Sequence, residues 1–222
     1  MLKTYEKKIT LIEDEITEVF TRLIKASTIA LAGLKEKDVS RFTEARESVG
    51  TIRETCDAID SNIITTLALF SPEAKDLRKL VSYLKITAGL NKTASNIKSY
   101  NKNITKNFED KAQYFATSNS IETLQQSAIK VLESSLKIVH EEDKTTLHDL
   151  YEQIQTEVER TETTYDIVEK ELLSIDKISV EVFAQNSNIL KTFRKLEKTT
   201  NRVMDIATAL LYAKLDTVPN HE

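Results

Sequence analysis

Apolar side chains recur near the start of the chain at alternating intervals of three and four: Leu2, Tyr5, Ile9, Ile12, Ile16, Val19, Leu23, Ala26 and Ala30. That spacing makes a seam on one face of a helix, suited to shallow packing against other long helices. Gly33 falls near its end, where a left-handed cap is easy for glycine. Asp38 or Ser40 can cap a second helix running to about Leu69, with Val49, Ile52, Cys56, Ile59 and Ile63 on its buried stripe. A third helix opens at Ser71-Pro72: the serine accepts a bond from an orphan N–H, and the proline fits the first turn. Its stripe is Leu77, Leu80, Val81, Leu84, Ala88, Thr93, Ile97 and Ile104, carrying it to Phe108 or beyond.

The polar run "ATSNS" at 116–120 is the best interior break. Beyond it Ser120 can cap a fourth helix with Ile121, Leu124, Ala128, Val131, Leu132 and Leu136 inward. Asp143 can cap a fifth, carrying Leu147, Leu150, Ile154, Val158, Tyr165 and Val168. After the Leu172–Asp176 region a sixth carries Val182, Phe183, Ile189, Leu190, Phe193, Leu196, Val203, Ile206, Leu210 and Leu211. Connections this short make successive helices antiparallel neighbours.

The plan is three long helices, twice. "LNKT" at 90–93 returns as "LEKT" at 196–199. An offset of 106 residues sets Leu84 on Leu190, Leu90 on Leu196, Thr93 on Thr199, Ile97 on Val203 and Ile104 on Leu210. We therefore expect an all-α chain of two tandem three-helix bundles, residues 1–115 and 119–215.

Composition supports helices. With three Gly and two Pro in 222 residues, the chain lacks the turn residues a sheet protein needs. Net charge is −4 with both signs spread along the chain, so the basic footprint of a nucleic-acid binder is missing. No window approaches the apolar length that spans a bilayer, so direct membrane insertion is not expected. One cysteine, Cys56, excludes an internal disulfide and a thiolate zinc cluster, and fits a cytoplasmic setting. Cys56 reads as a buried small hydrophobe. The three histidines are scattered, and no nucleophile triad, phosphate loop or dinucleotide fingerprint occurs, so no enzyme activity is expected.

"FSPEAKDLRKLVSYLKITAGLNKTASNI", from Phe70 to Ile97, resembles a segment of the PhoU family that reads Q-P-x-A-x-D-L-R followed by L-E-R-I-G-D-x-A-x-N-I-A. Pro72, Ala74, Asp76, Leu77 and Arg78 match. "LEKTTNRVMDIATALLYAKLDT" is similar to the family's last helix through Leu196, Glu197, Ile206, Ala207 and Tyr212, with Asp205 where Asn is usual. The resemblance implies two three-helix bundles, often dimeric, that negatively regulate phosphate uptake and the phosphate-starvation response. Implied partners are a phosphate ABC transporter, a sensor histidine kinase, or a sodium/phosphate cotransporter, as whose cytoplasmic domain PhoU-like units also occur. Candidates for the interaction face are Pro72, Asp76, Arg78, Asn91, Lys92 and Lys198.

The resemblance also implies divalent-metal clusters held by acidic residues four apart. Such positions lie side by side on a helix and suit a hard cation. In the first half the pair is Asn91 and Ser95, facing the region of Arg53 and Asp57, so no cluster is expected there. In the second half Glu197 and Asp205, with Glu159 and Glu162 opposite, offer at most one weak Mg²⁺, Ca²⁺ or Mn²⁺ site. The competing reading is a solvated acidic face paired with Lys198 and Arg202.

Overall fold

In a computed structural model of the chain, the structure describes residues 2–107, 118–173 and 179–215. They form helices, with no strand among the described residues. α1 is Leu2–Glu36, α2 Val39–Ser48, α3 Ile52–Phe70 and α4 Ala74–Asn107. In the second half α5 is Ser118–His140, α6 Lys144–Leu173 and α7 Val180–Lys214.

The α1 seam packs as its spacing implies: Ile9, Ile12, Ile16, Val19, Leu23, Ala26 and Ala30 are all buried. Gly33 does not end the helix. α1 continues to Glu36, and Lys37 takes the left-handed conformation at φ 57°. Gly33 serves instead as a close approach, since a Cβ there would lie 2.8 Å from the Arg41 Cβ on α2. Asp38 caps α2, its Oδ1 accepting the Ser40 N–H at 2.9 Å.

The expected second helix is two. Between Ser48 and Ile52 the backbone closes tighter turns, Gly50 N–H to Glu47 O at 2.9 Å and Ile52 N–H to Val49 O at 3.3 Å. Glycine is a poor helix-interior residue, and here Arg22 of α1 stabilises the break. Its guanidinium donates to Thr51 Oγ1 at 2.6 Å, Thr55 Oγ1 at 3.2 Å and the Ser48 carbonyl at 3.4 Å. The buried stripe from Val49 to Ile63 survives across it.

Ser71 and Pro72 form the connection rather than the first turn of α4. Ser71 is left-handed at φ 44° and closes α3 through its N–H to Leu67 O. The Glu73 carbonyl then accepts the Asp76 and Leu77 N–H groups at 3.0 and 3.4 Å, and α4 starts at Ala74. Ser120 lies inside the first turn of α5, which begins at Ser118. Asp143 caps α6, accepting the Thr146 N–H at 2.8 Å, and Ser179 caps α7.

α1 to α4 precede the expected partition and α5 to α7 follow it. α4 and α7 begin at Ala74 and Val180, 106 residues apart. Leu90 and Leu196, Ile97 and Val203, and Ile104 and Leu210 are all buried. Thr93 and Thr199 each return a hydroxyl to the carbonyl four residues back, at 3.0 and 2.8 Å. Of the expected break at 116–120, 116–117 lie outside the described residues, as does Phe108, and 118–120 form the first turn of α5. The packing runs across it: one apolar core joins Ile12, Ile16, Leu80 and Leu90 to Val131, Ile154, Val203 and Leu210.

α4 departs from its expected stripe for that reason. Leu77, Val81 and Ala88 are exposed, while Tyr83, Ile86, Thr87 and Tyr100 are buried. A helix packed both on its own bundle and on α7 buries more than one face. On α7 the expected Phe183 is 54% exposed.

The two halves come close together at Gly89. A Cβ there would stand 2.6 Å from Ile206 Cγ1 and 3.0 Å from its Cδ1. Gly→Ala in a helix interior ordinarily gains about 1 kcal/mol, but overpacking costs about 1–3 kcal/mol. Gly89→Ala should therefore lower the melting temperature, whereas the same change in an Ile206→Ala background should raise it. A stabilised single variant would show that Ile206 yields freely.

Candidate functional site

Three groups of candidate residues are placed by these elements. The first lies where α4 begins. Pro72 is half-buried in the connection, and Asp76 is exposed in the first turn of α4. Asp76 stands beside Tyr5, whose hydroxyl is pushed up to about 12 by burial and then by the Asp76 charge. Arg78 lies over the Tyr212 ring, 5.4 Å from its centroid, and reaches the Leu215 carbonyl at 3.5 Å. Arg78 thus ties the start of α4 to the end of α7. Between these residues Leu77 and Val81, one turn apart, are 43% and 40% exposed.

The second group is acidic. Glu197 is only 7% exposed. Its Oε2 lies 3.2 Å from Arg194 Nε and its Oε1 accepts the Asn201 amide at 3.2 Å. Burial raises its carboxyl above the ordinary range; Arg194 opposes this, while Glu162 and Asp166 push it further up. Of the expected metal ligands, the structure thus couples Glu197 to Glu162. Glu159 is exposed, and Asp205 turns to Arg202 at 3.0 Å. Asp166 was missed, although Glu162 and Asp166 stand four apart on α6. Among the described residues no three His, Cys, Asp or Glu side chains converge as a metal site requires. The four expected ligands do not form one set.

Asn91 and Ser95 line a groove with Gly50, Arg53, Glu54 and Lys98. Behind it Asp60 accepts the Thr87 hydroxyl. Cys56 is buried and free, its thiol pushed up to about 12 by burial and then by Asp60 and Asp57. It is neutral and packed, the form in which a thiol is not a nucleophile.

The third group is cationic. Lys92 and Lys198, the repeated lysines of "LNKT" and "LEKT", line one groove between α4 and α7, with Ser95, Asn96, Arg202 and Asp205. His140 bonds Thr17 at 2.8 Å across the halves, and His148 pairs with Glu152 at 3.2 Å.

An all-α chain that repeats a three-helix plan, the second helix of its first half split into α2 and α3, with α4 and α7 antiparallel at the seam, has the PhoU fold. The phosphate transport system regulatory protein PhoU from Streptococcus pneumoniae superposes with a TM-score of 0.79 over 97% of this chain and 99% of its own, at 16% identity. PhoU from Pseudomonas aeruginosa gives 0.78 over 94% and 98%, at 18% identity. No protein-family model matches the chain, and no curated protein matches it.

Glu197 generates a pH prediction. Its raised carboxyl holds a proton more tightly folded than unfolded, so its contribution favours folding below the ordinary glutamate value and is lost as pH rises through the raised one. Glu197→Gln should match the parent near pH 4 and be more stable at pH 7, by about 1 kcal/mol or less given an exposed Arg194 partner. A variant less stable at pH 7 would show the Arg194 pair to dominate. With Glu197 tied to Arg194, manganese should show no stoichiometric binding to the parent, and Glu197→Gln should not change that. Tight calorimetric binding would show that Arg194 releases the carboxylate.

Proposed function

We propose that the protein is a PhoU-like regulator of phosphate transport that acts in the cytoplasm, by protein–protein contact, to restrain uptake. The observation that carries this reading is the end-to-end match in fold: nearly all of this chain lies on nearly all of a phosphate transport system regulatory protein. The motif residues support it. Asp76 and Arg78 sit at the exposed start of α4, and beside them Leu77 and Val81 offer an apolar strip with Tyr212. Single exposed apolar side chains are ordinary; two in register on one helix, next to a fixed arginine, make a surface a partner helix can cover.

The partner in this reading is a phosphate ABC transporter, its sensor histidine kinase, or a sodium/phosphate cotransporter. No helix among the described residues is long and apolar enough to cross a membrane.

Deleting the gene should derepress phosphate-uptake genes in phosphate-rich medium, measured by transcript levels. The parent gene should restore repression, and Leu77→Asp/Val81→Asp should not, although both positions are exposed and the variant should fold. Unchanged transcripts after deletion would refute the regulatory reading. Full repression by the variant would move the contact elsewhere.

A further inference from the structure

The echo between "LNKT" and "LEKT" has a spatial counterpart. α4 and α7 run antiparallel with Gly89 against Ile206, so "LNKT" faces the region of Arg202 and "LEKT" the region of Asn96. Lys92 and Lys198 therefore border the same groove, joined there by Arg202. Lys92 also borders the adjoining groove between α3 and α4, with Arg53 and Lys98. Five cationic side chains thus edge a continuous strip, against the carboxylates Glu54 and Asp205. The chain as a whole carries −4, so this positive field is local.

Arg53, Lys92, Lys98 and Lys198 are exposed, and none has a carboxylate within salt-bridge distance among the described residues. Lys198 also acts on the buried Glu197 carboxylate beside it, and all four ammonium and guanidinium heads remain open to solvent and to a ligand. Side-chain donors stand among them: the Ser95 hydroxyl and the Asn96 amide. Ammonium, guanidinium, hydroxyl and amide donors converging on one groove are the chemistry that holds an oxyanion. Walls of protein on both sides raise the potential above that of a flat surface.

Asp205 narrows the ligand. Its Oδ2 accepts Arg202 Nη1 at 3.0 Å, which leaves the other oxygen as an acceptor on the groove. A carboxylate there repels a fully ionised anion such as sulfate. It can accept a hydrogen bond from an anion that still carries a proton, and inorganic phosphate near neutral pH does. We propose that the α4–α7 groove binds inorganic phosphate, with Lys92, Lys198 and Arg202 holding the charge and Asp205 accepting the phosphate O–H. The site stands apart from the regulatory reading: purified protein can bind where the deletion has no phenotype, and the reverse.

The test is calorimetry on the full chain at low salt, with inorganic phosphate, sulfate and tripolyphosphate as separate titrants. Phosphate should bind one to one. Lys92→Gln/Lys198→Gln should weaken it by about tenfold or more, whereas Lys85→Gln, on α4 outside the groove, should leave it unchanged. The parent should prefer phosphate to sulfate by about tenfold, and Asp205→Asn should erase that preference by admitting sulfate. Circular dichroism melts of each variant establish that it is folded. Absence of phosphate binding, binding that survives the double lysine change, or equal affinity for sulfate in the parent would overturn the proposal. Tripolyphosphate binding without phosphate binding would overturn the assignment to the free ion.

Discussion

The closeness of α4 to α7 at Gly89 governs the rest of the molecule. With no side chain there, the α4 backbone meets Ile206 directly. Interhelical distance follows the side chains at the contact, so this one position sets how near the bundles lie. At that distance one core can cross from α1 to α7. Arg78 can reach Tyr212 at one end of the seam, and Lys92 can share a groove with Lys198 near its middle. A wider seam would separate all of these, and would expose the second buried face of α4.

Within this shared frame the halves have diverged in charge. Glu197 is buried where its counterpart Asn91 is half-exposed and neutral. Sinking a carboxylate into the protein is unfavourable unless it is paired, and Arg194, one turn back, supplies the pair. The first half places Arg53 near Asn91 instead. The backbone differs too: α2 and α3 are interrupted around Gly50, with Arg22 bonded into the gap, while α6 is continuous.

How much of this was legible follows from how many faces each element buries. α1 presents its main seam on one stripe, and its three-and-four spacing named the core from Ile9 to Ala30. α4 is packed on two sides, so a single stripe through Leu77, Val81 and Ala88 was the wrong template. The polar-looking Thr87 and the tyrosines Tyr83 and Tyr100 took their place. Asp38 and Asp143 could be read as caps because their bonds are local; the break after Ser48 could not, because Arg22 comes from another helix. The acidic face was only half legible for the same reason. The Glu197 and Glu162 pair was within reach, but the tie from Asp205 to Arg202, and the buried setting of Glu197, depend on rotations that spacing does not fix.

The antiparallel meeting of like with like extends beyond α4 and α7. Thr17 bonds His140 and the Ser27 carbonyl accepts Gln125, so α1 and α5, the first helices of the two halves, also run in opposite directions side by side. A surface that meets its own counterpart in this way is isologous, the kind two identical subunits use to close a two-fold dimer. The chain is in effect such a dimer with its subunits tethered. Tethering keeps the partner at high effective concentration whatever the abundance of the protein. It also frees the two subunits from having to remain identical, so a glutamate can be kept on one side of the axis while an asparagine stands on the other.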